Sequence, residues 1–446
     1  MGWVESSTSF QKACLYSRLT QPRTIATLAP PMTPSAAESA KTGCCIVGGG
    51  PAGMMLGYLL ARDGHQVTVL EKHKDFFRDF RGDTIHPSTL ELMYELGILD
   101  AFLALPHQQI SAFTLAIGGE YFPIADLTHL PTHSKFVALM PQWDFLNFLA
   151  TQAAKFPTFH LLMEHEVTSL IEDDNNRVIG VRANTPSGPT EIRATLVVGC
   201  DGRQSTSRAA AGLPLHETGV PIDVLWFRLS RLDTDPSNVL GNANYGTFAV
   251  LIPRDDYFQC AFLIVKDSLA TSIQPAGLPA FRACIARLVP FLGASGSDGK
   301  ARVDELTDWD QVKLLSVQIN RLTQWHRPGL LCIGDAAHAM SPVGGIGINL
   351  AIQDAVAAAR ILSPVLGSGI VTQLTLGHIQ HRRELPTRIT QFFQVMVHGF
   401  LSKILGNPAP IKPPLLLRLL SPHPFFRRLL ARFIGMGVRP EHIQPH

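Results

Sequence analysis

Three short stretches of this chain carry residues whose types and spacing suit a phosphorylated ligand. In the first, Gly48-x-Gly50-x-x-Gly53 lies inside "CCIVGGGPAG", and Glu71 ends "QVTVLE". Glycine at the first position permits a tight turn, at the second lets backbone amides approach a pyrophosphate, and at the third lets a helix pack closely on a strand. The Glu71 carboxylate can accept hydrogen bonds from an adenosine ribose and would repel a 2′-phosphate, which favours FAD or NAD over NADP. In the second stretch, Asp201-Gly202 ends the apolar run of "ATLVVGCDGRQSTSR", and Arg203, Ser205 and Arg208 follow. In the third, "CIGDAAHAMSPVGGIGIN", Gly334 and Asp335 leave an apolar run and are followed by Pro342, Gly344, Gly345 and Gly347.

Hydrophobic periodicity shows which elements must hold these residues. The first stretch reads as a strand, a helix with Met54, Leu56, Leu59 and Leu60 on its apolar pattern, and an alternating strand that ends at Glu71. Residues 196–199 and 330–333 read as two more strands, the second entering a long helix through the glycines. Asp335 then stands at the end of a strand, where the crevice of an α/β sheet receives ligands, and its carboxylate can accept a hydrogen bond from a hydroxyl.

Taken together, the three motifs resemble those of the single-component FAD-dependent aromatic hydroxylases, the family of the p-hydroxybenzoate and phenol hydroxylases, over residues 43–374. The resemblance implies an α/β fold: a Rossmann-like FAD-binding domain of the glutathione-reductase/p-hydroxybenzoate-hydroxylase type, an inserted mainly β substrate domain, and C-terminal helices. By it, Gly48, Gly50, Pro51, Ala52 and Gly53, with Glu71 and Lys72, hold the ADP half of FAD. Asp201 and Gly202 support the pyrophosphate and are associated with the nicotinamide donor. Gly334, Asp335, Pro342, Gly345, Gly347, Ile348 and Asn349 hold the ribityl chain and the pyrimidine edge of the flavin. Arg81 and Gln142 stand where the family places further FAD contacts, and Val167 where a backbone group meets the adenine. Helix amides near Ile348 and Asn349 can point at the flavin N1 and C2 carbonyl, where negative charge accumulates on reduction.

The same resemblance implies the reaction. NADH or NADPH docks transiently, reduces FAD and leaves; oxygen adds as a flavin C4a-hydroperoxide, and its distal oxygen passes to a small aromatic or related hydrophobic substrate. No second GxGxxG occurs, which fits a transient donor without its own domain. No side chain need be a nucleophile, so no catalytic residue is assigned. Two other readings are an FAD-dependent reductase or dehydrogenase of the same fold, like the isoprenoid reductases, and a non-enzymatic FAD-binding interaction protein.

The expected organisation is a disordered extension over 1–42, a discontinuous FAD-binding domain over 43–110, 137–219 and 311–372, a β-sheet substrate domain over 111–136 and 220–310, and a helical region over 373–446. Within the β segment Trp226, Arg228, Tyr245, Phe248 and Gln259 are candidates to line a substrate pocket. Trp226 and Arg228 share a face by the two-residue period, whereas Tyr245 and Phe248 differ in parity, so only one of those two can point inward.

A net charge of +2 over 446 residues excludes the basic surface that nucleic-acid binding requires. Seven cysteines without a ligand spacing read as reduced, packed thiols in a reducing compartment, hence the cytoplasm. His129 and His133 have the spacing of a metal pair, but Pro131 breaks the helix that spacing needs, so no metal site is expected. His338 reads as structural. Residues 42–61 carry no charge over a span long enough to cross a bilayer, yet their glycines argue for a strand-loop-helix turn and against a membrane span. The N-terminal "MGWVES" fits the myristoylation pattern, the segment is faintly like a transit peptide, and Met32 is an alternative start. The apolar, Arg-rich stripes of the tail, broken by Pro422 and Pro424, are expected to dock on the body of the protein, with a membrane surface as the other use; a homodimer is left open.

Overall fold

A computed structural model describes residues 40–77, 84–236, 239–295 and 299–443. Arg81, "MGWVES", Met32 and nearly all of the expected N-terminal extension lie outside these residues. Residues 40–42, assigned to that extension from sequence, already belong to a strand.

Five parallel strands form the frame of the larger sheet: β1 (Ala40–Val47), β2 (Val67–Leu70), β3 (Phe159–Leu162), β4 (Gly188–Gly199) and β5 (Leu330–Cys332), in the order β5-β4-β1-β2-β3. Strands Val178–Thr185 and Glu166–Glu172 extend from β4 in antiparallel fashion. The cores of β1, β2 and β5 are buried on both faces, as a parallel sheet requires. From β1 the chain moves outward to β2 and β3, and then returns to the other side of β1 for β4 and β5. Such a reversal opens a crevice at the carboxyl ends of the strands.

Among the described residues, the helices of eight residues or more are α1 (Pro51–Arg62), α2 (Pro87–Glu95), α3 (Gln142–Ala153), α4 (Leu278–Leu288), α5 (Ile346–Leu366), α6 (Gln373–Ile404) and α7 (Pro424–Met436). α1 and α5 fill the largest core, with Met54, Leu56 and Leu60 from one and Ile352, Val356 and Leu362 from the other. The stretch Val343–Leu366 is long and apolar enough to cross a membrane by length and composition, but 72% of its most apolar window is buried in the protein, as in a core helix.

The second sheet has seven strands in the order Lys313–Leu315, Ile222–Ser230, Tyr257–Val265, Thr247–Pro253, Val239–Asn244, Ala112–Ile117 and Glu120–Asp126. Lys313–Leu315 pairs with Ile222–Ser230, so this sheet extends past the boundary expected at 310. Among its described residues the same region carries one helix of more than eight residues, α4. α4 lays Phe281, Ile285 and Leu288 on one sheet face, against Phe227, Leu251 and Phe262, because alternate residues of these strands are apolar on both faces.

The tail docks on the body. Ala431, Ile434 and Met436 of α7 pack on Leu127, Leu130 and Val137, and beyond α7 the Glu441 carboxylate is buried between Arg382 (2.6 Å) and Arg383 (3.4 Å). The six cysteines among the described residues are free, and burial pushes the Cys45 thiol up to about 12.

The tightest helix-strand approach is at Gly53, where an added Cβ would lie 2.0 Å from the Gly48 carbonyl oxygen; at Gly50 it would meet nothing within 4 Å. Gly53→Ala is expected to cost about 1–3 kcal/mol by overpacking, read as a lower Tm. Gly50→Ala should melt like the parent. Equal melting of both variants would contradict the packing.

Candidate functional site

The hydrogen-bond ladder of the parallel sheet continues past the strand ends into the loops. Gly48 N–H donates to the Leu70 carbonyl (2.8 Å), Cys200 N–H to Val47 (2.7 Å), Ile333 N–H to Gly199 (3.0 Å) and Glu71 N–H to Leu162 (2.9 Å). The three glycine- and Asp-bearing loops and Glu71 therefore stand side by side along one edge. Gly48 has φ +105°, and a Cβ there would lie 2.5 Å from the Cys200 carbonyl oxygen, so the first two loops can touch only through glycine. Gly334, at φ +59°, is wedged between Ala52 of α1 and Ala351 of α5, and a Cβ there would lie 3.2 Å from the side chain of each. Two helix N-terminal segments thus meet at the end of β5, each presenting amide N–H groups and the positive end of its dipole.

Glu71 accepts from Gly49 N–H (3.0 Å) and His73 N–H (3.1 Å) and is 9% exposed. These bonds aim the carboxylate across the first loop. Lys72 beside it is exposed. Pro51 is the first residue of α1, where its missing N–H costs nothing. Gln142 begins α3, which packs on α1. Val167 buries its side chain with Val47 and Leu70, leaving only main chain to face a ligand.

The Asp201 carboxylate is engaged inside its own loop, accepting from Ser205 Oγ (2.5 Å) and Ser207 N–H (2.9 Å). Its part in the site is to shape the turn in which Gly202 takes φ +81°. Arg203 and Arg208 join this loop to the third. Arg203 lies 3.4 Å from the Asp335 carboxylate, and Arg208 donates to the Ala336 carbonyl (3.1 Å). The Asp335 side chain stays one-third exposed at the mouth of the crevice.

In the third loop Pro342 leads into left-handed turns at Gly344 and Gly345, and a Cβ at Gly345 would lie 2.3 Å from Thr84 Oγ1. Gly347 keeps the first turn of α5 clear, with only ordinary contact to Met340, and Ile348 is half-buried. The Asn349 side chain is saturated. Its oxygen accepts from His86 N–H (2.9 Å) and Thr89 Oγ1 (2.8 Å), and its amide donates to the Thr84 (3.1 Å) and Gly345 (3.2 Å) carbonyls. Asn349 can therefore serve a ligand only through its backbone.

Several residues that hold this loop were not singled out in the sequence. Gln391, Gln394 and His398 form one stripe of α6. Gln391 donates to Ala339 O (3.1 Å), Gln394 donates to Ser341 O (3.0 Å) and Val343 O (3.2 Å), and His398 Nε2 lies 2.7 Å from Ser341 Oγ. Beneath the loop, the fully buried Asp354 accepts from Gly334 N–H (3.1 Å), His338 Nε2 (2.5 Å) and Arg383 Nε (2.9 Å). Burial alone would raise the Asp354 carboxyl, but His338 and Arg383 hold it below the usual carboxylate range. His338 is thus structural. The lone acid in "INLAIQDAVAAARIL" was a signal; its partner Arg383, 29 residues away, and Glu441 beyond it, carried none.

The substrate candidates divide by sheet face. Trp226 and Phe248 share an apolar cluster with Leu263, Leu401 of α6 and Val343 of the third loop, so this face looks toward that loop. The Trp226 Nε1 donor is buried there without a partner among the described residues. Arg228 and Gln259 pair on the same face nearer its other end; Arg228 lies over the Tyr257 ring and Gln259 accepts from Arg254 (3.1 Å). Tyr245 does not belong with them. It sits at a hairpin turn with φ +51°, with the guanidinium of Arg287 of α4 lying 3.9 Å from its ring, on the opposite face. His129 lies 3.6 Å from Asp126 and His133 2.9 Å from Glu91, on separate partners.

The residues present fit FAD: an open cradle at Gly50, the Glu71 carboxylate held against the first loop, Asp335 at the mouth, and α5 amides beyond it. Residues 41–392 match the family described as the FAD binding domain. The chain is 30% identical over 398 residues to 6-methylpretetramide 4-monooxygenase of Streptomyces rimosus, covering 89% of this chain and 93% of that protein. It is 30% identical over 330 residues to rifampicin monooxygenase of Rhodococcus hoagii, covering 70% of this chain and 61% of that one. Among solved structures, the OxyS anhydrotetracycline hydroxylase from Streptomyces rimosus superposes with a TM-score of 0.68 at 22% identity, over 91% of this chain and 78% of that one, a likeness of fold.

Asp335→Ala and Glu71→Ala should each weaken FAD binding about tenfold to a hundredfold, the worth of a charge-assisted hydrogen bond of about 1.5–3 kcal/mol. Titration of apoprotein by flavin fluorescence checks this, and parental affinity in either variant would remove that residue from the site. A second expectation concerns pH. Burial pulls His86 and His398, which both fasten the third loop, down to about 4. Each binds its proton more weakly folded than unfolded, so stability is complete above the ordinary histidine range near 6.5 and is lost as pH falls toward about 4. The urea midpoint should drop over that window, and His86→Gln/His398→Gln should flatten the slope.

Proposed function

The chain belongs to the FAD-dependent aromatic hydroxylase family and is an FAD-dependent monooxygenase, and from that premise we propose that it uses NAD(P)H and O2 to hydroxylate a small aromatic or related hydrophobic substrate. The observation that carries this reading is the inner face of the seven-stranded sheet. Trp226 and Phe248 share one apolar cluster with Val343 of the flavin loop, and the Trp226 indole N–H has no partner there. A buried donor without an acceptor costs about 1–3 kcal/mol unless a ligand supplies one. A flat apolar ring bearing a carbonyl or hydroxyl oxygen meets both the apolar face and that donor.

When bound, FAD supplies the redox chemistry, accepting hydride from NAD(P)H and activating oxygen at C4a. The protein's own part is placement and charge. The loops at Gly48–Gly50 and Gly202 hold the diphosphate against the α1 amides, while Glu71 and Asp335 fix hydroxyls along the cofactor. The α5 amides near Ile348 offer positive partial charge where the reduced ring becomes negative. The apolar inner face, backed by α6, excludes water from the reacting edge. The oxygenated molecules named for the relatives, 6-methylpretetramide and rifampicin, are reasonable first members of a substrate panel.

A panel of phenols, quinolones and polyketides should contain compounds that accelerate NAD(P)H oxidation by the FAD-loaded protein. Oxygen from 18O2 should appear in the product. Substrate reduction without label would instead assign the chain to the reductases of this fold. Trp226→Phe should raise KM for an accepted substrate by about fivefold to a hundredfold, the worth of a satisfied buried donor of about 1–3 kcal/mol, with FAD affinity unchanged. An unchanged KM would place the substrate elsewhere.

A further inference from the structure

Residues 385–440 contain eight lysines and arginines and no aspartate or glutamate, in a chain whose net charge is only +2. The same segment holds the most exposed large apolar residues of the C-terminal half. Phe392 (72% exposed), Met396 (56%) and Phe400 (41%) form one outward stripe of α6 at four-residue spacing, and Phe425 (78%) and Leu429 (57%) continue along α7. The ring contact Phe393–Phe433, 4.7 Å between centroids, sets α7 alongside α6. Between them the short helix Leu415–Leu420 turns Leu417 inward on Ile404 and Phe122 and leaves Leu415, Leu416 and Leu419 outside. These elements are anchored by their inner faces, so the outer residues are surplus to their docking. An exposed apolar surface of this extent marks a binding surface.

Charge decides what it binds. Lys403, Lys412, Arg428 and Arg432 are exposed among the apolar residues. The nearby acids are already taken, Glu384 by Arg388 (3.8 Å) and Glu120 by Arg418. A two-fold dimer through this face would set the same cationic patch against itself, because an isologous interface pairs a surface with its own copy. A surface of exposed aromatics and leucines with a net excess of cations is complementary to apolar chains beneath anionic headgroups. We propose that the outer face of α6, the helix Leu415–Leu420 and α7 is a peripheral docking surface for an anionic lipid bilayer. On its inner side Phe433 packs against Met340, Ile346 and Leu350, so the docked face lies one helix away from the flavin loop. An apolar substrate dissolved in the bilayer would then have a short route to the site.

The test is co-sedimentation of the full-length FAD-loaded protein with vesicles of phosphatidylcholine alone and of phosphatidylcholine mixed with phosphatidylserine. Binding is expected only to the mixed vesicles and should be released by salt. Arg428→Glu/Arg432→Glu should weaken partitioning about twentyfold or more, from the loss of two surface cations. Phe425→Ser/Leu429→Ser should abolish binding, with bound FAD and Tm as in the parent showing that the fold is intact. Failure to bind either vesicle, or equal binding to both, overturns the proposal. So does a salt-resistant dimer in light scattering that Phe425→Ser/Leu429→Ser disperses, which assigns the face to a second copy. Retention on immobilised polyglutamate without vesicle binding also overturns it, in favour of an acidic protein.

Discussion

A carboxylate with no access to water, Asp354, organises the deeper half of the site. An ion in that position is tolerated only when its neighbours supply charge and hydrogen bonds. Here the Gly334 amide, His338 and Arg383 do so, and Arg383 in turn is balanced by Glu441. One buried charge thereby fixes where β5 ends, how the loop after it turns, how α6 lies on α5, and where the tail returns to the body. The flavin-facing loop owes its shape to this scaffold more than to its own glycines, which are permissive and specify little by themselves.

The upper half of the site rests on a different constraint, the close approach of backbones at strand ends. Gly48 against Cys200, Gly334 between Ala52 and Ala351, and Gly345 against Thr84 are places where a methyl group has no room. Gly50 and Gly202 instead face open space. The contrast separates glycines that join the protein to itself from those that leave room for a ligand. A cluster that looks repetitive in sequence therefore holds distinct tasks.

How far the sequence revealed this depended on the range of each interaction. The strand-glycine-helix-strand unit through Glu71 and the strand-Asp turns at 201 and 335 were legible because turn chemistry and periodicity act over a few residues. Parity was enough to say that Tyr245 and Phe248 face opposite ways, but not which faced the flavin loop; α4 and α6, covering the two faces, settle that. α4 itself went unread because its apolar positions, Leu278, Phe281, Ile285 and Leu288, sit in a segment dominated by strand-like runs. Asp201 and Asn349 sit in their expected loops, but their side chains are engaged within the protein, Asp201 by Ser205 and Ser207 of its own motif and Asn349 by Thr84 and His86, which a linear motif does not display. The stripe Gln391, Gln394 and His398 was likewise silent, since its partners are main-chain carbonyls and the Ser341 hydroxyl more than fifty residues earlier.

The position of Glu441 in the chain has a consequence for biogenesis. It lies 88 positions after Gln353, whose side-chain oxygen accepts from its backbone N–H, and 58 after Arg383. On the ribosome the parallel sheet, both nucleotide-facing loops and most of α6 emerge before this keystone exists, and domains fold from the amino end during synthesis. Until it arrives, Arg383 and Asp354 form an incomplete, partly hydrated pair. The loop after β5 therefore reaches its final geometry late, when the stretch around Glu441 closes over the finished frame.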